Sequence, residues 1–165
     1  MATGSVGASR AEQSCASDVA NLSMPAHRFV DHGDGTVSDQ ASKLMWTKCV
    51  VGQASSGPTC SGLGVRQTWA SAQQAAVELN RSGRLFFNDW RVPSVRELAS
   101  ITERGCRDPR TNLAVFPGTP PEPHWTSSGR TGQDAAAYML SFGADGVRLV
   151  AKDAPAYVRL VRHDQ

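Results

Sequence analysis

The stretch from Phe86 to Leu98, F-F-N-D-W-R-V-P-S-V-R-E-L, constrains the chain more than any other. Ser94 and Glu97 have the S-x-x-E spacing of a capping box, in which the serine hydroxyl accepts from the Glu97 amide and the Glu97 carboxylate reaches back to the Ser94 amide. Pro93 disfavours helix at Val92 and so places the helix start. Behind the cap, Val95, Leu98 and Ile101 recur at helical spacing, and Gly105 is placed to end the helix. Ahead of it, Trp90 is a large apolar anchor. Arg91 reads as a structural arginine, serving loop carbonyls or a carboxylate.

A second helix is expected from Thr68. Trp69, Ala72, Ala76 and Leu79 fall on one face, with polar residues between them, and the pattern stops near Ser82-Gly83. The strand signals are hairpins. Arg28 to Asp31 and Thr36 to Asp39 flank Gly33-Asp34-Gly35, and Ala136 to Phe142 and Val147 to Lys152 flank Gly143-Ala144-Asp145-Gly146. Lys43 to Trp46, the start of a strand at Trp125 to Ser127, and Ala156 to Arg162 complete the set. Val50 to Val65 and the proline-rich Arg107 to Pro123 read as loops. Two helices beside hairpins, without alternating β-α-β units, predict an α+β fold of antiparallel strands. Trp46, Trp69, Trp90 and Trp125 are expected to serve structure, the first, third and fourth in the core. Met1 to Ser14 reads as a leader or disordered arm, and residues 15–165 as one domain.

Cys15, Cys49, Cys60 and Cys106 form no C-x-x-C pair, which argues against zinc-ribbon or thioredoxin-type chemistry. Four cysteines allow three pairings. The favoured one joins Cys49 to Cys60 across a Gly/Ser/Pro-rich loop, and Cys15 to Cys106, pinning the N-terminal arm beside the capped helix. Disulfides would place the protein extracellularly, at the cell surface or in the periplasm. Met1 to Arg10 has no secretory-signal pattern, and no apolar run approaches the ~20 residues that cross a bilayer.

Chemistry-bearing motifs are sparse. A net charge of +2 gives no global field toward nucleic acid or an anionic membrane. Asp31, Asp34 and Asp39 cluster with glycines, yet Gly33 sits where the third calcium ligand of an EF-hand loop belongs, and no glutamate closes the loop. His27, His32, His124 and His163 lie in no hydrolase or metalloprotease motif, and no phosphate-binding glycine loop opens a helix. The expectation is no enzyme, no metal and no cofactor. Recognition is expected on the loops around the last strands. If these form a meander, Arg130, Asp134, Tyr138, Asp145, Arg148 and Lys152 share one surface.

D-W-R-x-P-S-x-x-E-L at Asp89 to Leu98 resembles the central signature of the Lcl C-terminal domain family. Phe29 to Trp46 (F-V-D-H-G-D-G-T-V-S-D-Q-A-S-K-L-M-W) is similar to that family's opening block, Thr68 to Ala72 to its T-W-x-x-A helix start, and Phe116-Pro117 with His124 to Ser128 to its F-P-N…Y-W-S-S block. Tyr157 to Arg162 is similar to its closing strand. His124 stands where an aromatic is usual, and Ser42-Lys43 where Thr-Gly is usual. The ordered blocks cover roughly Cys15 to Arg162.

The resemblance implies a C-type-lectin-like fold, related in architecture to formylglycine-generating oxidases. The family includes the C-terminal domain of a collagen-like bacterial adhesin, associated with sulfated glycosaminoglycans and with trimer formation. True C-type lectins hold calcium through E-P-N or Q-P-D, which Glu122-Pro123-His124 matches poorly, because histidine offers no carbonyl oxygen. The expected role is thus a non-enzymatic recognition module of an adhesin, binding a glycan (sulfated or not) or a surface protein, as a homo-oligomer or part of a fibre. A subunit of a pilus or surface fibre and an oxidoreductase of formylglycine-generating type are the alternatives.

Overall fold

The structure, a computed structural model, describes residues 12–16 and 22–165. Among these described residues, eleven strands and two α-helices run in the order β1 (Ser14–Cys15), β2 (Phe29–Asp31), β3 (Thr36–Asp39), β4 (Leu44–Thr47), β5 (Ala54–Ser56), β6 (Thr59–Ser61), α1 (Trp69–Ser82), α2 (Val95–Ala99), β7 (Cys106–Arg107), β8 (Pro123–Trp125), β9 (Ala136–Ser141), β10 (Val147–Ala151) and β11 (Val161–His163). They form a four-stranded sheet β11-β4-β3-β2, a three-stranded sheet β10-β9-β8, and the pairs β1-β7 and β5-β6. Every strand pairing is antiparallel, so the fold is α+β as expected.

The first hairpin shows how local chemistry sets an element. Asp31 Oδ1 accepts from the Gly33 amide at 3.0 Å, and Asp34 Oδ1 accepts from the Thr36 amide at 2.9 Å and its hydroxyl at 2.6 Å. These aspartate turns bend the chain between β2 and β3, with Gly33 and Gly35 at positive φ. Asp39 is buried and forms a two-point ion pair with Arg28. The aspartates that suggest a calcium loop are thus each bonded within the protein.

Strands β3 and β4 are buried along their whole length. Their side chains alternate between two cores, as the two-residue period of a strand requires. Leu44 and Trp46 point into a core with Phe29, Val37, Phe116, Phe142 and Val161. Met45 points the other way, into a core with Trp90, Trp125, Met139, Val158 and Leu160. Helix α1 covers the second core through Ala72 and Ala76. Helix α2 gives Leu98 to the first.

Both helix starts are as read. Thr68 caps α1 by accepting from the Ser71 amide, and Gly83 ends it in the left-handed conformation. Ser94 and Glu97 form the reciprocal capping box. The end of α2 differs from expectation, falling at Ala99 rather than near Gly105. The Ser100 amide donates to carbonyls of the last turn, and Glu103 then turns its carboxylate onto the amides of Ser23, Met24 and Gly105. That buried carboxylate fixes a loop where helical periodicity alone would continue.

Both disulfides pair as expected, Cys15–Cys106 and Cys49–Cys60. Pairing in the N-terminal arm begins at Ser14, opposite Arg107, and the Gln13 side chain donates to the carbonyls of Pro109 and Thr111. Residues 1–11 of the expected leader lie outside the described residues. The Val50 to Val65 loop holds the small hairpin β5–β6. Among the described residues no helix is long and apolar enough to cross a membrane.

Two strand expectations are corrected. The strand at Trp125 lies N-terminal to its expected span, at Pro123–Trp125, where Pro123 and His124 pair with Ser141 and Leu140. The last three strands do not form a meander: β9 and β10 pair, but β11 crosses to the other sheet and pairs with β4. Between β10 and β11, residues 156–160 are held by single bridges and amide bonds instead of a continuous ladder. Ala156 bridges Gln67, Tyr157 bridges His124 in parallel, and the Leu160 carbonyl accepts from the Thr47 amide. That segment threads between the sheets, and Val158 and Leu160 fill the second core.

Candidate functional site

The ionisable groups inside the fold are committed to holding it. Arg91 donates to both Glu97 carboxylate oxygens, at 2.8 and 2.7 Å, while Glu97 also accepts from the Ser94 amide at 2.7 Å. The bonds from Arg91 are the main cause that pulls the Glu97 carboxyl down to about 2, against the opposing effect of burial. Glu103 is buried, which by itself would raise its carboxyl. The amides of Gly105, Ser23 and Met24 and the Ser23 hydroxyl outweigh burial and lower it.

His124 and Arg159 are fully buried. Burial, then repulsion from Arg159, pushes the imidazole down to about 3, so it is neutral. Its Nδ1 lies 2.9 Å from the Glu122 carbonyl, which can only accept; the proton therefore sits on Nδ1. The ring packs edge-on against Phe142, with centroids 4.9 Å apart. Arg159 donates to the carbonyls of Thr47 and Lys48 and to the Thr119 hydroxyl, and stacks 4.7 Å from Phe116. Burial lowers its guanidinium to about 9. Buried Lys48 pairs with Asp31 and donates to the Gly57 carbonyl at 3.0 Å, tying the first hairpin to β5–β6. Sequence reading missed Lys48, Glu103 and Arg159. Each is a charged side chain in an unremarkable local pattern, buried by contacts far along the chain.

The six expected recognition residues fall into two places. In the β9–β10 ladder, Leu140 faces Val147 beside the Gly143–Gly146 turn, and Ala136 faces Ala151 at the opposite end. The two ends are separated by about 13 Å, at ~3.3 Å per residue. Asp145 and Arg148 lie toward the turn, where their exposed side chains pair at 2.8 Å. Tyr138 sits half-buried in mid-strand, its carbonyl accepting from the Thr126 amide and hydroxyl. Arg130, Asp134 and Lys152 belong to the other end, where the Lys152 amide donates to the Ala135 carbonyl at 2.9 Å.

That second end is anchored to the start of α1. The Trp69 amide donates to the Lys152 carbonyl at 2.9 Å, and its Nε1 to the Thr126 carbonyl at 3.0 Å. The Lys152 ammonium sits 4.0 Å from the centre of the Trp69 ring. Arg66, which sequence reading did not single out, donates to the Pro155 carbonyl at 3.4 Å and lies over Tyr157. Lys152 is thus stacked on Trp69 at this end of the domain, and the exposed Arg66 and Arg130 lie on the loops beside it. Trp46, Trp90 and Trp125, by contrast, are buried.

Two surface grooves lie elsewhere among the described residues. One, of about 530 Å³, runs between β5 and α1 past Val50, Gln53, Glu78 and Leu85. The other, of about 400 Å³, lies at the far end of α1 beside Phe86, Asp89 and Arg162. Among the described residues no three His, Cys, Asp or Glu side chains group to hold a metal ion. In comparisons with known proteins, the family model described as the Lcl C-terminal domain matches residues 35–162. No curated protein matches the chain.

Proposed function

The chain belongs to the Lcl C-terminal domain family, and we propose that it is a non-enzymatic recognition module working outside the cytoplasm, as part of an adhesin. Its ligand is a glycan carrying anionic groups, held at the Lys152 end of the domain. One observation carries this reading: the Lys152 ammonium stacks on the half-buried Trp69 ring while the Lys152 carbonyl accepts from the Trp69 amide, and exposed Arg66 and Arg130 lie on the loops beside that anchor. Cations on a rigid frame suit sulfate or carboxylate groups, with the indole as a stacking surface. Supporting it, the two disulfides fit an oxidising compartment, and all four cysteines serve as braces between segments. The mixed fold, with mostly antiparallel sheets and two helices, is compatible with a C-type-lectin-like arrangement.

The test is retention on immobilised heparin, a densely sulfated probe. Retention should fall as salt rises, and Lys152→Ala and Arg130→Ala should each weaken binding by up to about fivefold, the worth of one exposed charge pair. Arg148→Ala, at the turn end of the hairpin, should leave it unchanged. Failure of the wild-type domain to bind heparin at low salt, or equal losses in the Arg148 and Lys152 variants, would refute the reading. A structural subunit of a surface fibre is the second reading. Leu63, 85% exposed, favours it, with exposed Val65 nearby, as an apolar contact for another protein.

A further inference from the structure

We propose that the groove at the C-terminal end of α1 is a second ligand site, which takes an uncharged saccharide unit stacked on Phe86.

Phe86 is unusual in two respects at once. Its backbone lies at φ 60°, the left-handed region that disfavours residues with a β-carbon, and bulky ones most of all. Its side chain is 83% exposed, so no core burial offsets that strain. The Phe86 amide donates to the Gly83 carbonyl at 3.1 Å, which closes the turn leaving α1 and sets the ring at the rim of the groove. Strained backbone that presents an exposed aromatic ring points to a ligand.

Polar side chains make up most of the remaining wall, among them Asn88, Asp89 and Arg162. Arg162 is held on three sides. Its Nε donates to Asp89 Oδ1 at 2.6 Å, its Nη1 lies 3.8 Å from the Met45 sulfur, and its guanidinium sits 3.8 Å from the Phe87 ring centre. The Arg162 side chain is only 7% exposed, yet its Nη2 has no acceptor among the described residues. Asp89 is half exposed, and its Oδ2 likewise has no partner among them. The hydrogen bond from Arg162 lowers the Asp89 carboxyl, so the group is an ionised acceptor at neutral pH. A locked donor thus stands beside a locked acceptor, at the edge of an aromatic ring.

A ligand matching this set needs one flat apolar face and several hydroxyl groups that both donate and accept. A pyranose ring has that chemistry. An anionic group is a poorer match, because Asp89 already neutralises Arg162. A protein partner is poorer too: the adjoining Leu85 and Phe87 are half-buried, and the exposed side chains around Phe86 are the polar Arg84, Asn88 and Asp89, not the apolar cluster that forms an interface core. The volume of about 400 Å³ falls in the range of small-molecule sites, about 300–1,000 Å³. The site is also separate from the Lys152 end. The 14 residues of α1 set the two apart by about 21 Å, at ~1.5 Å per residue.

The test uses the full chain on an array of unsulfated, uncharged glycans in about 1 M salt, where the screening length is about 3 Å and charge-driven binding is suppressed. The expected result is retention of at least one such glycan. Titration with that glycan should show a loss of about tenfold in Phe86→Ala. Phe86→Trp should restore binding, and Lys152→Ala should not affect it. Phe86→Gly should lose binding with a melting temperature no lower than wild type, because glycine tolerates the left-handed backbone; that separates loss of the ring from loss of the fold. Absence of any uncharged glycan at high salt, binding indifferent to Phe86→Ala, or binding abolished by Lys152→Ala would each overturn the proposal. Heparin binding that fails at the Lys152 end leaves this outcome unchanged, since the two sites are read with different probes.

Discussion

Replacing Glu97 by glutamine isolates the charge in the central ion pair. A glutamine carbonyl can still accept from the Ser94 amide, and Ser94 can still accept from the amide of residue 97, so the capping box survives. The Ser128 hydroxyl, which accepts from the Val95 amide at 3.0 Å, is untouched. What is lost is the bond from Arg91 Nη2 to Oε1 and the negative charge, because the carbonyl that serves the Ser94 amide in place of Oε2 can still accept from Arg91 Nη1. The Glu97 carboxyl is lowered from 4.5 to about 2 in the folded protein, chiefly by Arg91. At ~1.4 kcal/mol per tenfold, that sets a ceiling of about 3 kcal/mol. Arg91 is 39% exposed, so solvent screening brings the expected loss to about 1–2 kcal/mol. The sign follows from the lowered folded value: the contribution is complete above the unfolded value of 4.5 and disappears as pH falls through about 2. Urea unfolding followed by tryptophan fluorescence, at roughly pH 7, 5, 3 and 2 and constant ionic strength, reads it directly. The gap between wild type and Glu97→Gln should be flat from pH 7 to 5, narrow below that, and nearly close at the lowest pH. A gap of unchanged size at pH 2 would show that Glu97 acts through shape alone and that the Arg91 pair adds nothing.

The two disulfides differ in the chain they close, with sequence separations of 91 for Cys15–Cys106 and 11 for Cys49–Cys60. Chain-entropy arguments give losses of about 4.6 and about 2.8 kcal/mol for the paired Cys→Ala variants, and a reversed order in denaturant melts would refute that account. Trp125→Ala should cost about 3–5 kcal/mol, because the ring is fully buried and its Nε1 donates to the Gln67 carbonyl at 2.8 Å. An unchanged melting temperature would show that Trp125 is not a core anchor.

The sequence by itself determined the parts that rest on near neighbours. The Ser94–Glu97 box, the Thr68 cap, the Gly83 stop and the Gly33–Gly35 turn are each built from residues only a few positions apart. Their geometry follows from short-range hydrogen bonding and the freedom of glycine. The cysteine pairing was legible for a related reason, since four residues leave few alternatives. The destination of β11 was not legible. Alternation in Lys43 to Trp46 and Ala156 to Arg162 shows which residues share a face, but no periodicity names the neighbouring strand. The two cores decided it. With Leu44 and Trp46 turned one way and Met45 the other, β4 needs cover on both faces and a partner on its open edge, and β11 supplies that partner while Val158 and Leu160 fill the second core. That choice draws the chain away from β10, while the β9–β10 hairpin itself splits the expected recognition surface between its turn and its open end. It also brings Arg162 against Asp89 and Phe87, 73 and 75 positions earlier in the chain. Which charges are buried, and which ring stays exposed, follow from packing between segments far apart in sequence, so only the tertiary structure could settle them.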